Sequence, residues 1–271
     1  MRCKYREIRT ECGEYLDADI FPVMQSARCK KRGKRYKPTS ETMQRYNRRK
    51  RALKLERLIL TNFGDNGVFF NPTWSDDYLP ETDEEAKRFV VNFFRRLKTY
   101  RRRNGLPPLK YIYKLERGKR SGRIHGHMIL NCSDMPIGKL DEIWAAGYCY
   151  SSKVTFDEEG CSGLADYFCK GDNEPEDDDG EKDKDLGSNV SYSWVPSRNL
   201  EKPKEHKRDG RISKRQVIEL CRLGDDGRQE YEKLYPGYDF VKARCLFNEV
   251  NGGYYIEVRM IKKKKRRKKG E

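Results

Sequence analysis

Apolar positions fall into short runs between long polar and basic stretches, and their spacing changes from run to run. Residues 15–23 (YLDADIFPV) read as one or two short strands, with a basic loop over residues 28–37 behind them. Residues 39–60 read as a mostly basic helix that Thr39 or Ser40 can cap, with Leu55, Leu58 and Ile59 as a short apolar stripe. Residues 68–74 (VFFNPTW) read as a strand in which Pro72 implies an edge, a bulge or a local break. Phe89, Val90, Phe93, Phe94 and Leu97 recur at helical spacing and predict a helix over residues 83–103. Thr82 is its cap, Glu84 and Glu85 sit in its first turn, and arginines crowd its last turns. Residues 109–116 alternate as a strand, residues 118–122 form a basic turn, and residues 123–130 (RIHGHMIL) form the returning strand of a hairpin. Short elements follow: a helix over 137–146, a strand over 148–156, and a helix over 162–170 opened by Ser162 and Gly163. A further helix covers 213–223, and Asn251-Gly252 turns a terminal hairpin of residues 240–247 and 253–260. This order predicts an α+β class, with a central antiparallel β-sheet flanked by helices and extra elements at both ends.

Charge changes the picture of what such a fold would meet. Lysine and arginine total 59 against 43 acidic residues, a formal net charge of +16, while hydrophobic residues make up only 35% of the 271. A polyanionic partner follows, nucleic acid first and an anionic membrane surface second. The length suits one good core with a small second domain. The expected organisation is an N-terminal strand and loop extension (1–40), a central domain (41–200) and a C-terminal helix and hairpin region (201–261). A basic tail (262–271) ends the chain. Residues 172–188 form a low-complexity acidic loop expected to be disordered, a surface insertion or a device that limits non-specific binding. No apolar run approaches the ~18–20 residues that span a bilayer, and the first residues lack a secretory apolar stretch. Nine cysteines without a C-x-x-C pair suit reduced thiols in a cytoplasm.

Two of the chain's three histidines lie one residue apart, in His125-Gly126-His127. On a strand, alternate side chains share a face, so both imidazoles project together and make a ready metal site; a plain pair of surface histidines is the alternative. A tight hairpin brings Glu116 alongside them. A carboxylate beside two imidazoles, with coordination positions left open, suits Mg²⁺ or Mn²⁺; otherwise Glu116 is a strand-end acid pairing with Arg117 or Lys119. Tyr167 and Lys170, three residues apart on a short helix, share a face. A phenol becomes a useful nucleophile toward a phosphodiester when a metal polarises the phosphate and a cation steadies the developing charge. Taken alone, Tyr167 is one packing candidate among 17 tyrosines.

Together these segments resemble a family. His125-Gly126-His127 resembles the His-hydrophobe-His motif of HUH endonucleases, with Gly126 where that motif carries a bulky residue. Tyr167-Phe-Cys-Lys170 is similar to the Tyr-x-x-Lys motif of rolling-circle replication initiators. The segments 110–130 and 163–170 look like the replication-associated proteins of small single-stranded DNA phages and bacterial mobile elements. Residues 68–74 take the place of that family's first motif, with Asn71 and Pro72 as departures.

The resemblance implies a palm-like antiparallel sheet of the ferredoxin/RRM kind with the histidines on a central strand. It implies a divalent metal, Mg²⁺ or Mn²⁺, held by His125, His127 and Glu116. It further implies single-strand DNA nicking by Tyr167 assisted by Lys170, through a 5′-phosphotyrosine that later rejoins strands. No second tyrosine stands at position 170 or 171, which favours a single nucleophile. Arg95, Arg96, Arg102, Lys119, Arg120 and Arg123 are the candidate DNA contacts. Tyr111, Tyr113, Trp144 and Tyr148 are candidates for base stacking or core packing. No G-x-x-x-x-G-K-[S/T] loop is present, so unwinding falls to a host helicase and extension to a host DNA polymerase, in a bacterial cytoplasm. The same chemistry serves a transposase or relaxase. A non-catalytic nucleic-acid-binding regulator and a basic RNA-binding protein are the alternatives of another class.

Overall fold

The structure, a computed structural model, describes residues 4–23, 41–118, 121–136, 138–169, 194–249 and 252–264. The chain opens with a hairpin, β1 (Lys4–Cys12) and β2 (Tyr15–Val23). Helix α1 (Glu41–Asn62) leads into β3 (Val68–Pro72), and α2 (Asp83–Arg103) precedes a second hairpin, β4 (Tyr111–Arg117) and β5 (Ile124–Leu130). Then come α3 (Lys139–Trp144), β6 (Cys149–Lys153), α4 (Ser162–Cys169), β7 (Val195–Pro196) and β8 (Lys204–Asp209). Helices α5 (Lys214–Leu223) and α6 (Arg228–Leu234) and the hairpin β9 (Tyr238–Asn248) and β10 (Gly253–Lys262) complete the fold. The class is α+β, with two antiparallel sheets of five strands each among the described residues. No described helix is long and apolar enough to cross a membrane.

The chain divides into two units. One holds residues 1–39, 157–160 and 202–271, and the other residues 40–156 and 161–201. In the first, the strand order is β8-β1-β2-β10-β9. Leu16, Ala18, Ile20, Ile256, Val258 and Met260 pack against Val217 and Leu220 of α5 and Tyr231 of α6. Ser213 and Gln216 close a reciprocal capping box at the start of α5. Strand β1 turns charge inward: Glu7 is 1% exposed, and its Oε1 accepts from Tyr235 Oη (2.8 Å) and Arg211 Nη1 (2.6 Å), with Arg9 Nε 3.1 Å away. Burial works against this carboxylate's charge. The bonds from Tyr235, Arg9 and Arg211 outweigh it and hold Glu7 below the usual carboxylate range. Asp17 and Arg259, both buried, pair through two bonds of 2.8 and 3.0 Å.

In the second unit the order is β6-β3-β5-β4-β7. Helix α2 forms as its pattern dictates, with Thr82 Oγ1 accepting from Glu85 N at 3.2 Å. Its buried stripe, Ala86, Val90, Phe93, Phe94 and Leu97, packs on Phe70, Leu115, Ile124, Met128 and Leu130. Each fully buried side chain of this size contributes about 1.5–3 kcal/mol. Trp144 belongs to this core, and Tyr111 and Tyr113 pack on Phe94, so stacking on bases is left to Tyr148 among the four aromatics considered. Arg101 is also drawn inside, where Asp134 takes it through two bonds of 2.8 and 3.0 Å. Leu55 and Ile59 of α1 are fully buried, and α1 lies along α4. The caps expected at Thr39 and Ser40, the acidic loop, Asn251, and the tail beyond residue 264 lie outside the described residues.

Pro72 does not mark an edge, because β3 lies between β6 and β5. It marks a local break. The β3–β5 pairing runs from Val68↔Leu130 to Phe70↔Met128, lapses, and returns as a single bridge, Thr73↔His125, in the same register. Pairing to β6 continues through Pro72↔Cys149. The lapse lies beside Gly126. A β-carbon there would meet Pro72 Cγ at 3.0 Å, so the proline ring fills the space that a side chain at 126 would need.

Candidate metal and nucleophile site

The register of the β4–β5 hairpin pairs Glu116 with His125 and Lys114 with His127. Strand alternation puts all four side chains on one face, the face opposite the α2 core. Asn71 joins them from β3 by the register that brackets it. The sequence pattern thus builds a sheet with one apolar face under α2 and one face that carries chemistry.

Ligand atoms of Glu116, His125 and His127 lie within 4.8 Å of one another, and Glu116 Oε2 is 3.4 Å from His127 Nε2. Asn71 Oδ1 is 3.0 Å from His127 Nδ1. An amide oxygen only accepts, so the proton sits on Nδ1 and the Nε2 lone pair is directed at the cluster. His125 Nδ1 faces the Arg123 carbonyl at 3.4 Å, which favours the same tautomer. Two imidazoles oriented from behind and one carboxylate fit a divalent cation of the Mg²⁺, Mn²⁺ or Zn²⁺ kind, with positions left for water or phosphate oxygen. Burial, with His127 close by, lowers the pKa of His125, so its ring is neutral and able to ligate at neutral pH. The hydrogen bond to His127 holds Glu116 below the usual carboxylate range against the opposing effect of burial, with Lys114 helping.

Helix α4 brings Tyr167 to the same place. Its hydroxyl is 3.3 Å from His127 Nε2, and the two rings meet edge to face with centroids 4.9 Å apart. Phe69 stacks near His127 (6.3 Å) and meets Tyr167 edge-on (6.1 Å), forming an apolar wall. The Tyr167 side chain is 44% exposed, so a strand of DNA can approach it. Burial and the charge of Glu116 raise its pKa, which keeps the free phenol protonated. Lys170, paired with it in the sequence pattern, lies outside the described residues.

Two residues of this site escape sequence reasoning. Lys114 is buried with its charge, and its Nζ donates to the Phe168 carbonyl at 3.0 Å and lies 3.9 Å from Glu116 Oε2. An ammonium near the last carbonyls of a helix is favoured by their partial negative charge. Lys114 thereby fastens the end of α4, one residue beyond Tyr167, to the strand that carries Glu116. Asn71 is the other: as a departure from the first motif it looked like a defect, and it holds the ligand ring. Only the hairpin register, read together with β3, reveals either role.

The candidate DNA contacts are dispersed. Arg95 and Arg102 are exposed on α2, behind the sheet, and Arg96 Nη2 donates to the Trp144 carbonyl at 2.9 Å. Arg123, two residues before His125, bonds Asp76 (2.6 Å) and the Trp74 carbonyl (2.9 Å). Lys119 and Arg120 lie outside the described residues.

Comparison with known proteins gives one family. Residues 69–172 match the model of the replication-associated protein ORF2 family, a span that contains Glu116, His125, His127 and Tyr167. No curated protein and no solved structure matches the chain. Over less than half its length, then, the chain is similar to a family of replication-associated proteins, a likeness that supports a replication initiator.

Proposed function

We propose that the protein initiates rolling-circle replication by nicking single-stranded origin DNA of a phage, plasmid or integrated element, in the manner of HUH endonucleases. One observation carries this reading: the Tyr167 hydroxyl stands 3.3 Å from Nε2 of His127, an imidazole within 4.8 Å of Glu116 and His125 ligand atoms. His125, His127 and Glu116 would hold Mg²⁺ or Mn²⁺, whose chemistry is to polarise a phosphate oxygen and offset its charge. Asn71 keeps His127 in the ligating tautomer. Tyr167 Oη forms a bond to the scissile phosphorus as the bond to the 3′ oxygen breaks. The phenol gives up its proton and the 3′ oxygen takes one up, so the diester count is unchanged. The 5′ end stays on Tyr167, and the reverse reaction rejoins strands. Lys170 assists by neutralising charge on the leaving side. Arg123, Lys119 and Arg120 grip the strand near the site. Arg95, Arg96 and Arg102 on the far face attract DNA over a distance. A host helicase and DNA polymerase complete the reaction sequence in a bacterial cytoplasm.

The test is covalent capture. Incubated with Mn²⁺ and a pool of random single-stranded oligonucleotides, the full chain is expected to yield a denaturant-resistant adduct mapped to the Tyr167 peptide, and Tyr167→Phe none. An adduct that persists in Tyr167→Phe, or its absence from the unaltered protein, would overturn the proposal.

A further inference from the structure

Strand β6 carries Tyr148 and Tyr150 at its start, and folding does not use their rings: Tyr148 is 76% exposed and Tyr150 54%. Register fixes where they point. Tyr150 pairs with Asn71, the residue that holds His127. Thr73, which bridges His125, donates both its N–H (2.9 Å) and its Oγ1 (2.8 Å) to the Tyr148 carbonyl. Paired residues in antiparallel strands project to the same side, so both tyrosines share the face of Asn71, His125 and His127. They stand on the edge strand, two strand spacings or about 10 Å from β5, and about 6.6 Å from each other. That separation is about the step of one extended nucleotide. Sequence reading left Tyr148 among core candidates, and Tyr150 was not singled out.

We infer that Tyr148 and Tyr150 are a stacking platform for two consecutive unpaired bases next to the scissile phosphate. The inference rests on the nicking reading for its choice of nucleic acid. The chemistry is sequence-tolerant, because every base offers a π face to a tyrosine ring, and it selects for single strands, since paired bases cannot be splayed onto a sheet edge. A backbone track alone would need cations at these positions. This edge supplies two aromatic rings instead, beside a site built for phosphate.

Equilibrium binding of a fluorescent single-stranded oligonucleotide to the full chain, without metal, tests this separately from cleavage. Tyr148→Ala/Tyr150→Ala is expected to weaken binding about tenfold or more, while Tyr148→Phe/Tyr150→Phe binds like the unaltered protein because a phenyl ring still stacks. Mn²⁺ affinity of the alanine variant, unchanged, shows that the sheet is intact. With the captured origin strand, abasic substitution at the two nucleotides concerned reproduces the loss in the unaltered protein and adds nothing in the alanine variant. Binding by the alanine variant equal to the unaltered protein, or losses that multiply when the abasic strand and the alanine variant are combined, overturns the platform. Failure of covalent capture with this binding pattern intact would sink the nicking reading and leave the platform standing.

Discussion

The two sheets carry inward charge alike and resolve it in opposite ways. Each is antiparallel, each has five described strands, and each packs helices on one face. In the sheet of β1, β2 and β8–β10, the buried charges have partners that neutralise them: Glu7 with Tyr235 and Arg211, Asp17 with Arg259. Such groups specify how the strands and helices meet, and little is left for chemistry. In the sheet of β3–β7, the polar side chains face away from α2, and hydrogen bonds from behind aim their ligand atoms at a common point. Charge satisfied within the fold is architecture, whereas charge oriented and left accessible is a site.

The largest effect that sharpens this contrast is expected at His127. His127→Ala should abolish Mn²⁺ binding in calorimetry and slow adduct formation by at least about a thousandfold, since a bound cation supplies several kcal/mol at a developing phosphoryl charge. Thermal stability should change little by comparison, and a collapse of the fold instead would make the imidazole structural.

Glu7 should behave in the opposite way. Glu7→Gln removes the charge facing Arg9 and Arg211, and is expected to lower unfolding free energy by about 3 kcal/mol in urea melts while leaving Mn²⁺ affinity unchanged. The pH sign follows from its lowered pKa. The Glu7 contribution is full above the unfolded-state value of about 4.3 and is lost as pH falls through the lower folded-state value, so the stability gap between the two proteins should close in acid. A gap that widened below about pH 4 would contradict that assignment.

Lys114 gives the smallest and most discriminating effect. Lys114→Met should keep or raise the melting temperature, because a hydrophobic isostere avoids burying an ammonium. It should still slow adduct formation about 10–100-fold, the usual range for residues that position reacting groups. Mn²⁺ affinity should stay within a few-fold. Equal adduct rates in the two proteins would reduce Lys114 to packing.

Much of this was legible in the sequence wherever one element decides its own geometry. Helix α2, the β4–β5 hairpin and the His-x-His spacing follow from local periodicity, and Glu116 followed from hairpin length. What stayed hidden depended on neighbours far along the chain. Strand β1 was not anticipated because its inward positions include Glu7 and Arg9, which break the apolar alternation a strand normally shows. Strand β8 was missed because all six of its residues are exposed at an edge, with no core-facing position to betray it. The roles of Asn71 and Lys114 required knowing that β3 lies beside β5 and that α4 ends over β4.

Gly126 and Pro72, two departures from a motif when taken singly, fit into each other across β3 and β5. Each makes sense only given the other: a larger residue at 126 collides with the ring, and a smaller one at 72 leaves a hollow. The two positions are therefore bound to change in concert over evolutionary time. Distant relatives should carry both or neither, and a search that scores columns independently will count one adaptation as two faults.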